Sequence, residues 1–284
     1  MRYRTTHHLG LYLTPNILYG TTLTQDRSGN IQEQSHHQMT LNDDPAPFIS
    51  ALSQHKSTNK ARYHVTLNQD YVHQQVLSID TPLPAVYLPK YLAHHSITLF
   101  QHTWESLYCD YLPIQTDSAT STYLISACKQ SIAQEHLSCN LPPKHRLATL
   151  QIDSLCGLHL NLLNNHSCTP PYNILYCDSM QLTHYQFTTD NINFYETYSV
   201  TKGYDHLASK LQEQLTQAID TLYITGPNEQ LYNTLIDQLS DSHSLIPLHE
   251  ALAPQITLNQ NDHTQRHHEL ITTLTALTSR SYAC

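Results

Sequence analysis

The chain has 284 residues, only 13% of them charged, with 14 Lys and Arg against 23 Asp and Glu and a formal net charge of -9. Its few cations are scattered and offer no basic footprint for nucleic acid, and no stretch approaches the roughly 18 apolar residues of a membrane helix. Arg2 and Arg4 lead into Thr5-Thr6-His7-His8 rather than an apolar run, so no signal peptide is read and a cytoplasmic location is expected.

Residues 8–13 read as a short strand, Thr14-Pro15-Asn16 as a turn, and residues 17–23 and 31–39 as two more strands around the polar turn at 26–30. A helix is predicted over 47–55, then strands over 61–67 and 71–79, closed by Thr81-Pro82-Leu83-Pro84. A helix over 87–95, a strand over 104–112, a buried strand over 121–127 and a helix over 129–137 come next. Pro142-Pro143 forbids further helix. Residues 148–152 read as a strand and Asp153 as the start of a helix running to 163, with a boundary over 164–171.

From Asn173 the opening order recurs. Strands over 174–177, 181–187 and 192–198 are separated by breaks at Asp178-Ser179 and Thr188-Thr189-Asp190-Asn191. Asp205 is placed to N-cap a helix whose Leu207, Leu211, Leu215 and Ile219 form one stripe. A strand at 222–224, a turn at Thr225-Gly226-Pro227 and a helix with Pro227 in its first turn come after it. A last helix over 266–282 puts Leu270, Ile271, Leu274 and Leu277 on one face. Two strand–turn–strand units, each leading into helices, make a duplicated α/β fold with a cleft between its halves.

Phosphate binding in such a cleft needs glycines, because backbone amides must approach without an intervening Cβ. There are only six glycines and neither a dinucleotide fingerprint nor a P-loop. Gly226 reads as a phosphate turn or simply as a strand-to-helix turn. Where metal-dependent phosphoryl transfer wants an acid at the end of a lobe's first strand, the first lobe has Tyr12. The second has Asp178, followed by Ser179 instead of glycine, and a turn cap explains this aspartate as well. Seven cysteines, an odd number with no C-x-x-C pair, fit core thiols rather than zinc or a disulfide framework. Cys156-Gly157 beside His159 is read as helix packing rather than a thiol–imidazole pair. The 21 histidines, with pairs at 7–8, 36–37, 94–95 and 267–268, read as surface polar residues or as a pH- or metal-responsive surface.

The order of segments resembles the PilM (HofM-like) family of type IV pilus assembly proteins. Leu9-Gly10-Leu11-Tyr12-Leu13-Thr14-Pro15 resembles that family's first strand and turn, with Tyr12 where an acid is usual. Residues 62–67 and 76–84 resemble the strands leading into its inserted subdomain, and residues 104–111 and 124–130 elements within that insertion. Leu150-Gln151-Ile152-Asp153 resembles the return to the first lobe, and Ser279-Arg280 the end of the last helix. The family's phosphate turns stand here as Cys177-Asp178-Ser179 and Thr225-Gly226-Pro227-Asn228.

The resemblance implies an actin-like (ribonuclease H-like) two-lobed α/β fold with an α+β subdomain inserted in the first lobe. It implies a first lobe at 1–83 and 148–168, the insertion at 84–147 and a second lobe at 169–284. It implies a non-catalytic cytoplasmic scaffold, peripheral to the inner membrane through its partner. That partner is a single-pass, PilN-like pilus assembly protein, whose cytoplasmic N-terminal peptide lies in a groove near Leu107, Tyr108 and Tyr111. Residues 106–111 serve either the insertion's core or that peptide. The degenerate nucleotide turns at Gly10, Tyr12, Asp178, Ser179 and Gly226 disfavour ATP and leave no cofactor or metal. The alternatives are an active actin-like ATPase or a type II secretion platform module.

Overall fold

The computed structural model describes residues 6–25, 31–53, 62–80, 83–114, 120–138, 146–155, 171–188, 192–215, 221–240, 243–252 and 262–277. Its first sheet is built from β1 (Thr6–Leu13), β2 (Ile17–Gln25), β3 (Ile31–Thr40), β4 (Arg62–Leu67) and β8 (Arg146–Ile152), in the order β3-β2-β1-β4-β8. The hairpin strands β3, β2 and β1 pair antiparallel, whereas β1, β4 and β8 run parallel. The second lobe repeats the scheme with β9 (Tyr172–Cys177), β10 (Gln181–Phe187), β11 (Ile192–Ser199), β12 (Thr221–Thr225) and β13 (Ser244–Pro247). Their order is β11-β10-β9-β12-β13, with the same antiparallel and parallel halves.

The correspondence extends to single hydrogen bonds. The amide of Thr14 donates to the Ile17 carbonyl at 3.0 Å and that of Asp178 to Gln181 at 2.9 Å. The amide of Asn68 donates to the Leu13 carbonyl at 2.8 Å and that of Asn228 to Cys177 at 3.1 Å. Both asparagines are N-caps: Asn68 accepts from the amide of Asp70, and Asn228 from that of Leu231 at the start of α5 (Glu229–Leu239).

Between β4 and β8 lie β5 (Val72–Ile79), α2 (Leu88–Phe100), β6 (Leu107–Ile114), β7 (Ser121–Lys129) and α3 (Gln130–Ser138). β5, β7 and β6 form a three-stranded antiparallel sheet with β7 in the middle, which joins the second-lobe sheet through one register pair, Ile192 with Ile114, giving eight strands. The insertion's own core unites Ile79, Leu88, Leu92, Phe100, Leu107, Tyr123 and Ile125. β5 thus pairs with the inserted sheet through β7, while Tyr71 and Val72 at its start still pack against the first-lobe core. At the other end, Ala133 of α3 packs with Leu13, Val65 and Leu67 in the first-lobe core, so α3 has already returned.

Helix α1 (Pro45–Ser53) covers the first sheet with Phe48 and Leu52. The second lobe packs α4 (Tyr204–Gln214) and α5 through Leu207, Leu211, Leu231 and Leu235, each buried leucine contributing about 1.5–3 kcal/mol. Two local expectations are corrected. Gly203, at φ 92°, is the N-cap of α4, and Asp205 sits inside its first turn. Pro227 precedes the Asn228 cap instead of lying in the first turn of α5. The strand expected from 104 is first a short 3-10 turn, Trp104–Ser106, because the Thr103 carbonyl accepts from Ser106 before β6 begins. β13 and α6 (Leu248–Leu252) were not expected from the sequence.

The last helix, α7 (His263–Leu277), lies across β1, β2 and β4. Its Thr272 and Thr275 hydroxyls bond those of Thr21 and Thr66, at 2.6 and 2.5 Å. At its other end His263 and His267 reach Gly226 and Thr225 of the second lobe. Gly10 lets α7 in: a Cβ there would lie 2.3 Å from the Thr272 carbonyl oxygen. No helix among the described residues is long and apolar enough to cross a membrane.

Candidate functional site

Two places concentrate polar or accessible groups: the junction between the lobes, and a groove between the first lobe and the insertion.

At the junction, Tyr12 of β1 and Tyr176 of β9 occupy corresponding positions, each two residues before its lobe's first turn. Both are fully buried, and both hydroxyls donate to Oδ2 of Asp153, at 2.7 and 2.6 Å. Asn68 Nδ2 donates to the Tyr12 oxygen at 3.0 Å and to Asp153 Oδ2 at 3.3 Å, and the Ser154 amide serves Oδ1 at 2.7 Å. Burial raises the Asp153 pKa to about 7, against the pull of the Tyr176, Tyr12 and Ser154 donors, and the nearby Asp178 charge adds to the rise. Burial also drives the Tyr176 pKa well up. Asp153 was expected to start a long helix; it opens a short 3-10 turn at residues 153–155, and residues 156–163, with Cys156, Gly157 and His159, lie outside the described residues.

The imidazoles of His267 and His268 face the same cluster, their ring centres 6.4 and 5.5 Å from that of Tyr12. This pair is buried, not on the surface as its sequence suggested, because α7 turns it into the junction. Burial lowers the pKa of His267 well below its ordinary value and brings that of His268 to about 4. Among the described residues no group of three or more His, Cys, Asp and Glu is arranged to hold a metal ion.

The degenerate turns are spent on structure. Gly10 stands within β1 against α7, not in a turn. Gly226, at φ 133°, lies so near β9 that a Cβ would be 2.2 Å from the Cys177 carbonyl oxygen. The Ser179 amide donates to the Asp178 carboxylate at 2.7 Å, and the Asp178 amide is used by Gln181. Asp178 is raised by burial and by the charge of Asp70 on the first-lobe side. The junction thus gathers carboxylates and inward-facing amides, where a polyphosphate needs free amides and cations.

The groove has a volume of about 370 Å³. One wall is Leu67 of β4 with Leu150, Gln151 and Ile152 of β8; the other is Tyr108, Asp110, Tyr111 and Leu112 of β6 with Leu124 and Ser126 of β7. Of the three residues expected near a groove, Tyr108 (38% exposed) and Tyr111 line it, and Leu107 packs into the insertion's core. The groove thiols are quiet: burial pushes Cys109 to about 12, helped by Asp110, and Cys128 to about 11.

No protein-family model matches the chain, and no curated protein matches it. Among solved structures it is similar to the PilM–PilN type IV pilus biogenesis complex, with TM-score 0.61 and 12% identity over 96% of this chain and 98% of that one. The fold is actin-like. Looser likenesses are a Bacteroides thetaiotaomicron protein of actin-like ATPase fold (TM-score 0.48, 11% identity, 94% and 95% coverage) and the cytoplasmic domain of EpsL. The latter is an inner-membrane component of the Vibrio cholerae type II secretion system (0.46, 13%, 96% and 95%).

Proposed function

We propose that this chain is a non-catalytic, PilM-like scaffold of a type IV pilus assembly platform, cytoplasmic and bound to the inner membrane through its partner. Its ligand is the cytoplasmic N-terminal peptide of a single-pass, PilN-like membrane protein, held in the groove between first lobe and insertion. The groove carries the reading: apolar walls from two sheets meet around exposed Tyr108, and polar Ser126, Gln151 and Asp110 lie among them. Apolar pockets with a few polar groups suit an extended peptide. The junction supports the absence of catalysis and of bound ATP, since Tyr12 stands where an acid would serve phosphoryl transfer and bonds Asp153 instead.

Fluorescence anisotropy with a labelled cytoplasmic N-terminal peptide of a single-span, PilN-like membrane protein tests the proposal. Saturable binding, competed by unlabelled peptide, is expected. A flat titration at high micromolar protein overturns it.

A further inference from the structure

We infer that Tyr12, Asp153 and Tyr176 form a built-in tie between the lobes that also holds the groove wall in place. Three observations carry this. The tie crosses the lobes: Tyr176 comes from β9, whereas Tyr12, Asn68 and Asp153 come from the first lobe, and all four side chains are buried. Its acceptor is one carboxylate oxygen reached by hydroxyls from both lobes, so separating them strips a donor from a buried carboxylate and strands a tyrosine hydroxyl. Finally, Asn68 and Asp153 directly follow Leu67 and Ile152, the strand ends that line the groove. Moving the carboxylate therefore moves β8 against β6.

Other groups face this carboxylate without replacing the tie. Asp178 contributes like charge from the second lobe. From α7, His267 packs edge-on near Tyr176, their ring centres 5.7 Å apart, and spends its Nδ1 on Thr225. α7 also joins the lobes, so the tie sets their angle rather than their attachment. Tyr12, Tyr176 and Asp153 are thus positioning residues for the groove, and the peptide half of this inference rests on the scaffold reading.

Tyr176→Phe keeps the ring and removes only the second-lobe donor. Hydrogen exchange followed by mass spectrometry on the full chain is expected to show residues 62–71 and 146–155 exchanging at least tenfold faster than in the wild type, with the circular dichroism spectrum retained. Affinity for the labelled peptide is expected to fall severalfold. Tyr195→Phe, a second-lobe tyrosine outside the tie, is the control and leaves both unchanged. Unchanged exchange in both segments overturns the tie. If Tyr176→Phe fails to fold, Asp153→Asn replaces it under the same exchange criterion, because it keeps the side chain's shape and exchanges the charged acceptor shared by both hydroxyls for a neutral amide. Exchange needs no peptide, so a wild-type chain that binds no peptide overturns the scaffold reading while the tie is judged on exchange alone.

Discussion

Tyr12 and Tyr176 stand at matching positions of the two halves, on β1 and β9, and donate to the same oxygen of Asp153. A duplicated fold brings its first-strand ends face to face across the cleft. In this chain both ends carry a phenol, and the first lobe supplies one carboxylate to satisfy them. The two phenols and the carboxylate are thereby paired with one another.

Magnesium-ATP is expected to bind weakly or not at all. A nucleotide here would have to displace the Asp153 network and find free amides where Ser179 and Asp178 have already committed theirs. Calorimetric titration should show no saturable heat at millimolar nucleotide. A micromolar Kd would return the chain to the ATPase alternative.

Gly10→Ala and Gly226→Ala should each destabilise the fold by about 1–3 kcal/mol, the usual cost of overpacking or of a forced backbone. At Gly10 the added methyl meets the backbone of α7, and at Gly226 that of Cys177, so neither neighbour can swing aside. Urea midpoints read the effect. Gly203→Ala separates strain from packing, because a Cβ there meets nothing within 4 Å and only φ 92° opposes it.

Acid should unfold the chain through its buried histidines. Burial lowers the pKa of His184 and of His268 to about 4, below the ordinary 6.5. Between those values the unfolded chain binds protons that the native one refuses. The stability they contribute is complete above about pH 6.5 and is lost as pH falls towards 4. Asp153 acts in the opposite sense: its folded pKa of about 7 lies above the usual carboxylate value, so its contribution is present in acid and lost as pH rises through 7. Urea midpoints should therefore fall from pH 6.5 to 4.5, and fall further in Asp153→Asn, which lacks the opposing contribution. A midpoint that rises on acidification contradicts the histidine assignment.

Native labelling should spare Cys128 and Cys177. Both are buried, burial pushes the Cys177 pKa strongly up and that of Cys128 to about 11, and a thiol must ionise to react. A thiol reagent with peptide mapping should modify them only on unfolding. Rapid modification of either in the native chain would contradict its core placement.

Much of the fold was legible because it is written locally. β-branched and aromatic runs broken by Thr14-Pro15-Asn16 and Asp178-Ser179 mark both hairpins, and the leucines of α4 and α5 keep helical spacing. β13 was not legible: four residues ending in proline carry no periodicity, and they become a strand only by pairing with β12. Asp153 was read as a helix start because its partners lie far along the chain, Tyr12 being 141 residues away. A buried carboxylate and two tyrosines leave no spacing signal. The one available clue was the matched placement of Tyr12 and Tyr176 in the repeated halves.

Neighbouring residues of β6 should separate binding from stability. Leu107 sits in the insertion's core with Leu88 and Phe100, whereas Tyr108 is exposed on the groove. Leu107→Ala leaves a cavity and should cost about 2–5 kcal/mol of stability. Tyr108→Ala removes no core contact and should leave the urea midpoint near that of the wild type. If the groove holds the peptide, Tyr108→Ala should weaken binding at least tenfold, since an aromatic at the centre of an interface is where binding energy concentrates. Tyr108→Phe distinguishes the ring from its hydroxyl and should retain most of the affinity. Tyr111 is the harder case, because its ring packs edge-on against Tyr123 at 6.0 Å and its loss would disturb core and groove together. Full binding by a stable Tyr108→Ala chain would move the peptide out of this groove, however well the wild type binds.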